Sequence, residues 1–87
     1  MRKVHENVAM IRQAYHITKT GIAEVLGLTL QGYRYIEKGD TSLDVERLRT
    51  IADFLHVEPG IFFNDELTDN VIKEIKKKRI TRKTKEG

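Results

Sequence analysis

Apolar residues recur along this chain at helical rather than alternating spacing, and Pro59 is its single proline, so the pattern predicts an all-α fold. Val4, Val8, Ile11 and Tyr15 follow one another at steps of four, three and four, which predicts a first helix of roughly 5–15 with one buried stripe. Thr18 suits the N-cap of a second helix carrying Ile22, Ala23 and Leu26, and Gly27 suits the left-handed residue that stops it. Thr29 suits the cap of a third helix running to about Lys38, with Tyr33 and Ile36 inward and Gly39 as terminator. Asp44, or Ser42, caps a fourth helix whose Val45, Leu48, Ile51, Ala52 and Leu55 form one apolar face. Pro59 opens a short fifth helix in which Ile61, Phe62 and Phe63 supply core residues, and Asn64 and Asp65 break the pattern. Thr68 then caps a sixth segment with Leu67, Val71 and Ile75 in line, before Lys76-Lys77-Lys78-Arg79 removes any inward face. From about Arg82 the sequence predicts disorder.

The resulting division is a helical unit over 1–66, a C-terminal helix over 67–81 expected to serve docking or dimerisation, and a basic tail over 82–87 expected to be disordered. Within the first unit, Lys19 to Gly39 reads as two short helices meeting at a sharp turn, the arrangement that presents one helix to a DNA groove. Ala23 is small where the two helices would cross closely, and Gly27 turns the chain four residues later. Ile22, Leu26, Leu28, Tyr33 and Ile36 take the inward positions that join the pair to the first and fourth helices.

Length narrows the expected function: 87 residues suit one small core, and a separate sensor or catalytic domain is not expected. The absence of cysteine removes disulfides, thiolate nucleophiles and cysteine metal sites, and fits a reducing cytoplasm. No signal-peptide run and no bilayer-length apolar stretch occurs, so the expected location is cytoplasmic with no membrane association. The formal net charge of +3 conceals an asymmetry, because residues 70–87 carry eight Lys or Arg against Glu74 and Glu86, net +6, leaving 1–69 at net −3. A nucleic-acid surface on the body is therefore local.

The stretch Ile22-Ala23-Glu24-Val25-Leu26-Gly27-Leu28-Thr29, with Tyr33 and Ile36-Glu37-Lys38-Gly39 after it, resembles the lambda-repressor and Cro helix-turn-helix class, also called the xenobiotic-response-element (XRE) family. The likeness continues through Leu48, Ile51-Ala52, Leu55 and Val57-Glu58-Pro59-Gly60-Ile61-Phe62-Phe63, about residues 5–63, and implies a compact five-helix lambda-repressor-like domain. It further implies a transcriptional regulator, a repressor more than an activator, that binds double-stranded DNA in the major groove as a homodimer on two half-sites. By this resemblance Lys19 and Thr29 match phosphate-contacting positions, with Lys38 as a further phosphate contact. Leu30, Gln31, Arg34 and Tyr35 match the base-reading positions. Gln31 suits adenine, donating to N7 and accepting from N6, while Leu30 packs against a thymine methyl. Arg12 and Glu37 match a structural ion pair between the first and third helices. The chain departs from the family pattern at Gly21, Leu30, Gly32 and Leu43, which makes the recognition surface less polar than the family's.

Each of these residues also has a plainer reading. Lys19, Thr29, Gln31 and Arg34 fit an ordinary solvated face, and the outward Leu30 and Tyr35 fit a protein-binding patch. The competing function is accordingly a protein-interaction module, antitoxin-like or regulator-binding, that keeps the fold. The basic end admits a solvated terminus, an arm adding phosphate contacts, or the flank of a helix joining two subunits through Leu67, Val71, Ile72 and Ile75, with the third preferred. His5, His16 and His56 have no carboxylate or second histidine at ligand spacing, so no metal, cofactor or small-molecule ligand is expected, and no catalytic constellation points to an enzyme.

Overall fold

A computed structural model describes residues 1–86 of the chain, with side chains through Lys78. Its helices begin where a side chain satisfies the first unpaired backbone donors. Ahead of α1 (Val4–Ala14), Glu6 Oε1 reaches back to accept from the Lys3 N–H at 2.8 Å. Thr18 Oγ1 accepts from the Gly21 N–H at 3.0 Å to open α2 (Lys19–Val25), and Thr29 Oγ1 accepts from the Gly32 N–H at 3.0 Å to open α3 (Leu30–Lys38). Asp44, rather than Ser42, caps α4 (Val45–Leu55), its Oδ1 accepting from the Arg47 N–H at 2.8 Å. A 3₁₀ turn over Pro59–Phe63 follows, and α5 spans Asp65–Glu86. No strand occurs among the described residues, and no helix there is long and apolar enough to cross a membrane.

Two glycines close the central motif in the left-handed region that favours glycine: Gly27 with φ +69° between α2 and α3, and Gly39 with φ +85° after α3. His16 and His56 take the same conformation after α1 and α4, at φ +60° and +57°, without the steric freedom of glycine. The core gathers Val8 and Ile11 of α1, Ile22 and Ala23 of α2, Tyr33 and Ile36 of α3, and Leu48, Ile51, Ala52 and Leu55 of α4. Phe62 caps it from the 3₁₀ turn, and Ile72 and Ile75 close it from α5. α3 packs on both α1 and α2, while α5 lies against α1 and the 3₁₀ turn.

Several expectations are corrected by this packing. Val45 is 70% exposed, because it is the first residue of α4 and the cap turns it outward. Phe63 is 64% exposed while Phe62 is fully buried, since neighbouring residues of a 3₁₀ turn cannot share one face. α5 starts at Asp65 instead of Thr68, and Asn64 accepts from the Leu67 N–H at 3.0 Å. Its inward stripe is therefore Thr68, Ile72 and Ile75, with Leu67 47% exposed. Thr68 is fully buried, and its hydroxyl donates to the Ile61 carbonyl at 2.6 Å. Ile72 and Ile75 thus pack into the subunit's own core, while Leu67 is exposed and Val71 half-buried. The disorder expected from about Arg82 falls beyond Lys78, the last residue described with its side chain, and Gly87 lies outside the described residues.

Candidate nucleic-acid interface

α3 is divided sharply between two faces. Tyr33 and Ile36 are buried, whereas Gln31, Arg34, Tyr35 and Lys38 are exposed at spacings of three, four and seven from Gln31. Such spacing sets the four on one side of the helix. Leu30 stands half-buried at the first turn. Tyr35 is 43% exposed, so a large part of its ring faces solvent. Two neighbours frame this face: Thr29 at the α3 N-cap and Lys19 at the first residue of α2, both exposed. The Thr29 oxygen is engaged in accepting from Gly32, which leaves its hydroxyl proton available to donate outward. The departures at Gly21 and Gly32 fit these caps, because a Cβ at either position would lie 3.2 or 3.3 Å from the capping hydroxyl.

Cationic charge on this face is sparse. Among the described residues neither Lys19 nor Arg34 forms an ion pair, and Lys38 Nζ lies 3.7 Å from Asp40 Oδ2 in an exposed pair. An exposed pair of that kind contributes little to stability and yields readily to a competing phosphate.

The inward face is fixed by a charged cluster at the far end of α3. Arg12 Nε donates to Glu37 Oε2 at 2.6 Å, its Nη2 donates to Oε1 at 3.3 Å, and its Nη1 donates to the Ile17 carbonyl at 2.7 Å. The Tyr33 hydroxyl donates to the same Oε2 at 2.5 Å. Arg12 and Glu37 side chains are only 7% and 9% exposed, so each charge depends on the other for solvation. Burial pushes the Tyr33 phenol well above the ordinary tyrosine range, and the Glu37 carboxylate adds to the shift, so Tyr33 stays a neutral donor. One guanidinium thus ties the end of α3 to the loop that leads into α2, holding the two helices of the motif in one geometry.

Reasoning from sequence missed a second polar anchor. The Arg2 N–H donates to Asp65 Oδ2 at 2.9 Å, Arg2 Nη2 donates to Asp69 Oδ1 at 2.7 Å, and buried Asn7 donates from Nδ2 to the Phe62 carbonyl at 2.9 Å and Asp65 Oδ1 at 3.1 Å. The Arg2 N–H, with Asn7 assisting, holds the Asp65 carboxyl below the usual carboxylate range. A signal for it was present, because Asn7 falls on the inward stripe of α1 three residues after Val4, and a polar side chain there calls for a buried partner. The histidines do not converge: His16 and His56 are exposed, His5 sits beside Gly39, and no group of three metal-ligating side chains occurs among the described residues.

Comparison with known proteins agrees with this geometry. A family model described as Helix-turn-helix matches residues 8–62, which runs from the second turn of α1 through most of the 3₁₀ turn. The chain is 33% identical over 64 residues to the uncharacterized HTH-type transcriptional regulator y4wC of Sinorhizobium fredii, a match covering 74% of this chain and 45% of that protein. A second uncharacterized HTH-type transcriptional regulator of the same organism, y4aM, is 31% identical over 62 residues, covering 71% of this chain and 43% of the relative. The chain therefore spans less than half the length of these curated relatives. No solved structure matches. With a two-helix motif over Lys19–Lys38, its inward face locked by Arg12 and Glu37, and the family model spanning it, the chain belongs to the helix-turn-helix family of XRE type.

Proposed function

We propose that the protein is a transcriptional regulator that binds duplex DNA, laying α3 in the major groove and acting as a repressor. The observation that carries this reading is the division of α3, with Gln31, Arg34, Tyr35 and Lys38 on one exposed face while Tyr33, Ile36 and Glu37 fasten the opposite face to the body. In this reading Gln31 forms paired hydrogen bonds with an adenine edge, Arg34 donates to guanine, and Leu30 and Tyr35 supply apolar contacts at thymine methyls. Lys19, Thr29 and Lys38 hold the sugar-phosphate edges and so set the depth and register of the helix. One short helix in one groove gives little affinity, so the working form is a homodimer on two half-sites. Repression requires only that the occupied site be closed to other proteins, whereas activation requires a further surface.

The relatives' designation as HTH-type transcriptional regulators supports the same class. Selection of bound duplexes from a random pool tests it: the proposal expects a recurring motif and an affinity that falls steeply with salt. Recovery of unenriched sequences contradicts it. The partly exposed Tyr35 beside Leu30 supports a second reading, a protein-docking face, in which Leu30→Asp abolishes capture of a protein partner while duplex affinity is absent from the outset.

A further inference from the structure

Among the described residues, two rows on the outer side of α5 stay wholly or partly open to solvent. Leu67, Val71, Glu74 and Lys78 succeed one another at steps of four, three and four and line one bank of an open groove. The opposite bank brings Tyr15 and Val57 from just beyond the ends of α1 and α4, and Ile61 from the 3₁₀ turn. Leu67 is exposed and Val71 half-buried, and the exposed Phe63 stands two residues before α5. The groove holds about 870 Å³, room for several side chains of another molecule. The second row, Glu66, Asn70, Lys73 and Lys77, repeats the same steps one position earlier, and all four side chains are exposed.

Charge along the helix says what the groove accepts. Asp65, Glu66 and Asp69 give residues 65–70 a net charge of −3, while Lys73, Lys76, Lys77 and Lys78 with Glu74 give residues 71–78 a net charge of +3. Such a helix is complementary to itself run backwards. A parallel partner sets acid on acid and base on base, whereas an antiparallel one sets acid on base at both ends. Neither Glu66 nor Lys73 forms an ion pair among the described residues. Within one helix the two stand seven residues apart, about 10 Å at 1.5 Å per residue, too far to meet each other.

We infer that the Leu67–Val71 stripe is the surface on which a second copy of this chain docks, with the two α5 helices antiparallel. About a two-fold axis close to Asn70, Leu67 and Val71 of one subunit pack on Val71 and Leu67 of the other. Glu66 of each subunit then faces Lys73 of its partner, because two-fold symmetry sets each flanking row against itself in reverse. A patch that carries its own complement meets the demand of a two-fold interface, which uses the same residues twice. The inference rests on the homodimer reading and supplies its surface. It keeps Leu67 and Val71 from the set expected to join subunits and gives Ile72 and Ile75 to the core. None of Gln31, Arg34, Tyr35 and Lys38 lines this groove, so the joining surface and the proposed reading face are separate.

The test is reciprocal charge reversal in the full chain, with Glu66→Lys and Lys73→Glu made singly, both at exposed positions that spare the core. Sedimentation equilibrium at low salt, where surface charges are least screened, gives the dimer dissociation constant of each protein. Each reversal turns two attractive pairs per dimer into two repulsive ones and raises that constant on the order of tenfold. An equimolar mixture of the two variants pairs opposite charges again and returns the constant to near the wild-type value. Single variants that dimerise as the wild type does overturn the inference and leave the homodimer reading standing. A mixture no tighter than either variant alone also overturns it, because the charges then act within a subunit. A wild type of monomer mass overturns it as well, and footprinting on the selected duplex then decides the homodimer reading by itself: two half-sites keep it and one removes it.

Discussion

Replacing Arg12 with alanine removes one half of a charge pair that solvent scarcely reaches. With 7% and 9% of the two side chains exposed, Glu37 would be left as a buried carboxylate supported by the Tyr33 hydroxyl alone, and the Ile17 carbonyl would lose its donor. Removal of one partner from such a pair costs about 3–5 kcal/mol. The remaining Tyr33 bond places Arg12→Ala at the low end, about 3 kcal/mol. A domain of this size has a total stability of roughly 4–13 kcal/mol, so the loss is a large fraction and lowers Tm by about 12–24 °C. Urea unfolding followed by far-ultraviolet circular dichroism gives the value directly. Glu37→Ala and the double variant complete a cycle in which the double loss should fall short of the summed single losses by more than about 1 kcal/mol. A loss below about 1 kcal/mol for Arg12→Ala, or strict additivity, would refute the reasoning that a buried pair holds α3 to α1.

Three further outcomes follow from particular residues. Gly39→Ala should destabilise by about 1–2 kcal/mol from left-handed strain and further by displacing His5, whose ring atoms lie 2.7 and 2.9 Å from the added Cβ; adding His5→Ala should recover only the second part. Gly27→Ala, with φ +69° and open space around its Cβ, should show the strain alone, and equal losses at the two glycines would contradict the distinction. Asp65 has a depressed folded-state pKa, so its contribution is present above the unfolded carboxylate value of about 4 and is lost as pH falls through the folded value. Asp65→Asn should therefore flatten the acid side of the stability profile, and an unchanged profile would remove that anchor from the account. On DNA, hydroxyl-radical footprinting should show two half-sites centred about 10 base pairs apart on one face, and a single protected half-site at saturation contradicts the dimer.

Local chemistry was the legible part of this sequence. The caps at Thr18, Thr29 and Asp44 and the left-handed glycines Gly27 and Gly39 depend on residues within one turn of themselves, and the structure has each where spacing put it. Tertiary register was not legible in the same way. The start of α5 is set by Arg2 and Asn7 reaching Asp65 across more than fifty residues, which shifts the buried stripe from Leu67 and Val71 onto Thr68 and Ile72. The left-handed backbone at His16 and His56 was likewise hidden, because histidine carries no left-handed preference comparable to glycine's. For the interface, periodicity separated the outward from the inward residues of α3, but the assignment of Gln31 to bases and Lys19 to phosphate rests on resemblance and geometry together.

That assignment is tested most directly by titrating wild type, Gln31→Ala and Lys19→Ala against the selected duplex and a scrambled one at two salt concentrations. Gln31→Ala should cost about 1–3 kcal/mol on the selected site and leave scrambled binding nearly unchanged. Lys19→Ala should weaken both duplexes by similar factors and reduce the salt slope by about one per subunit. If both variants bind both duplexes as the wild type does, α3 and α2 are not the reading and holding helices, and the central claim is wrong.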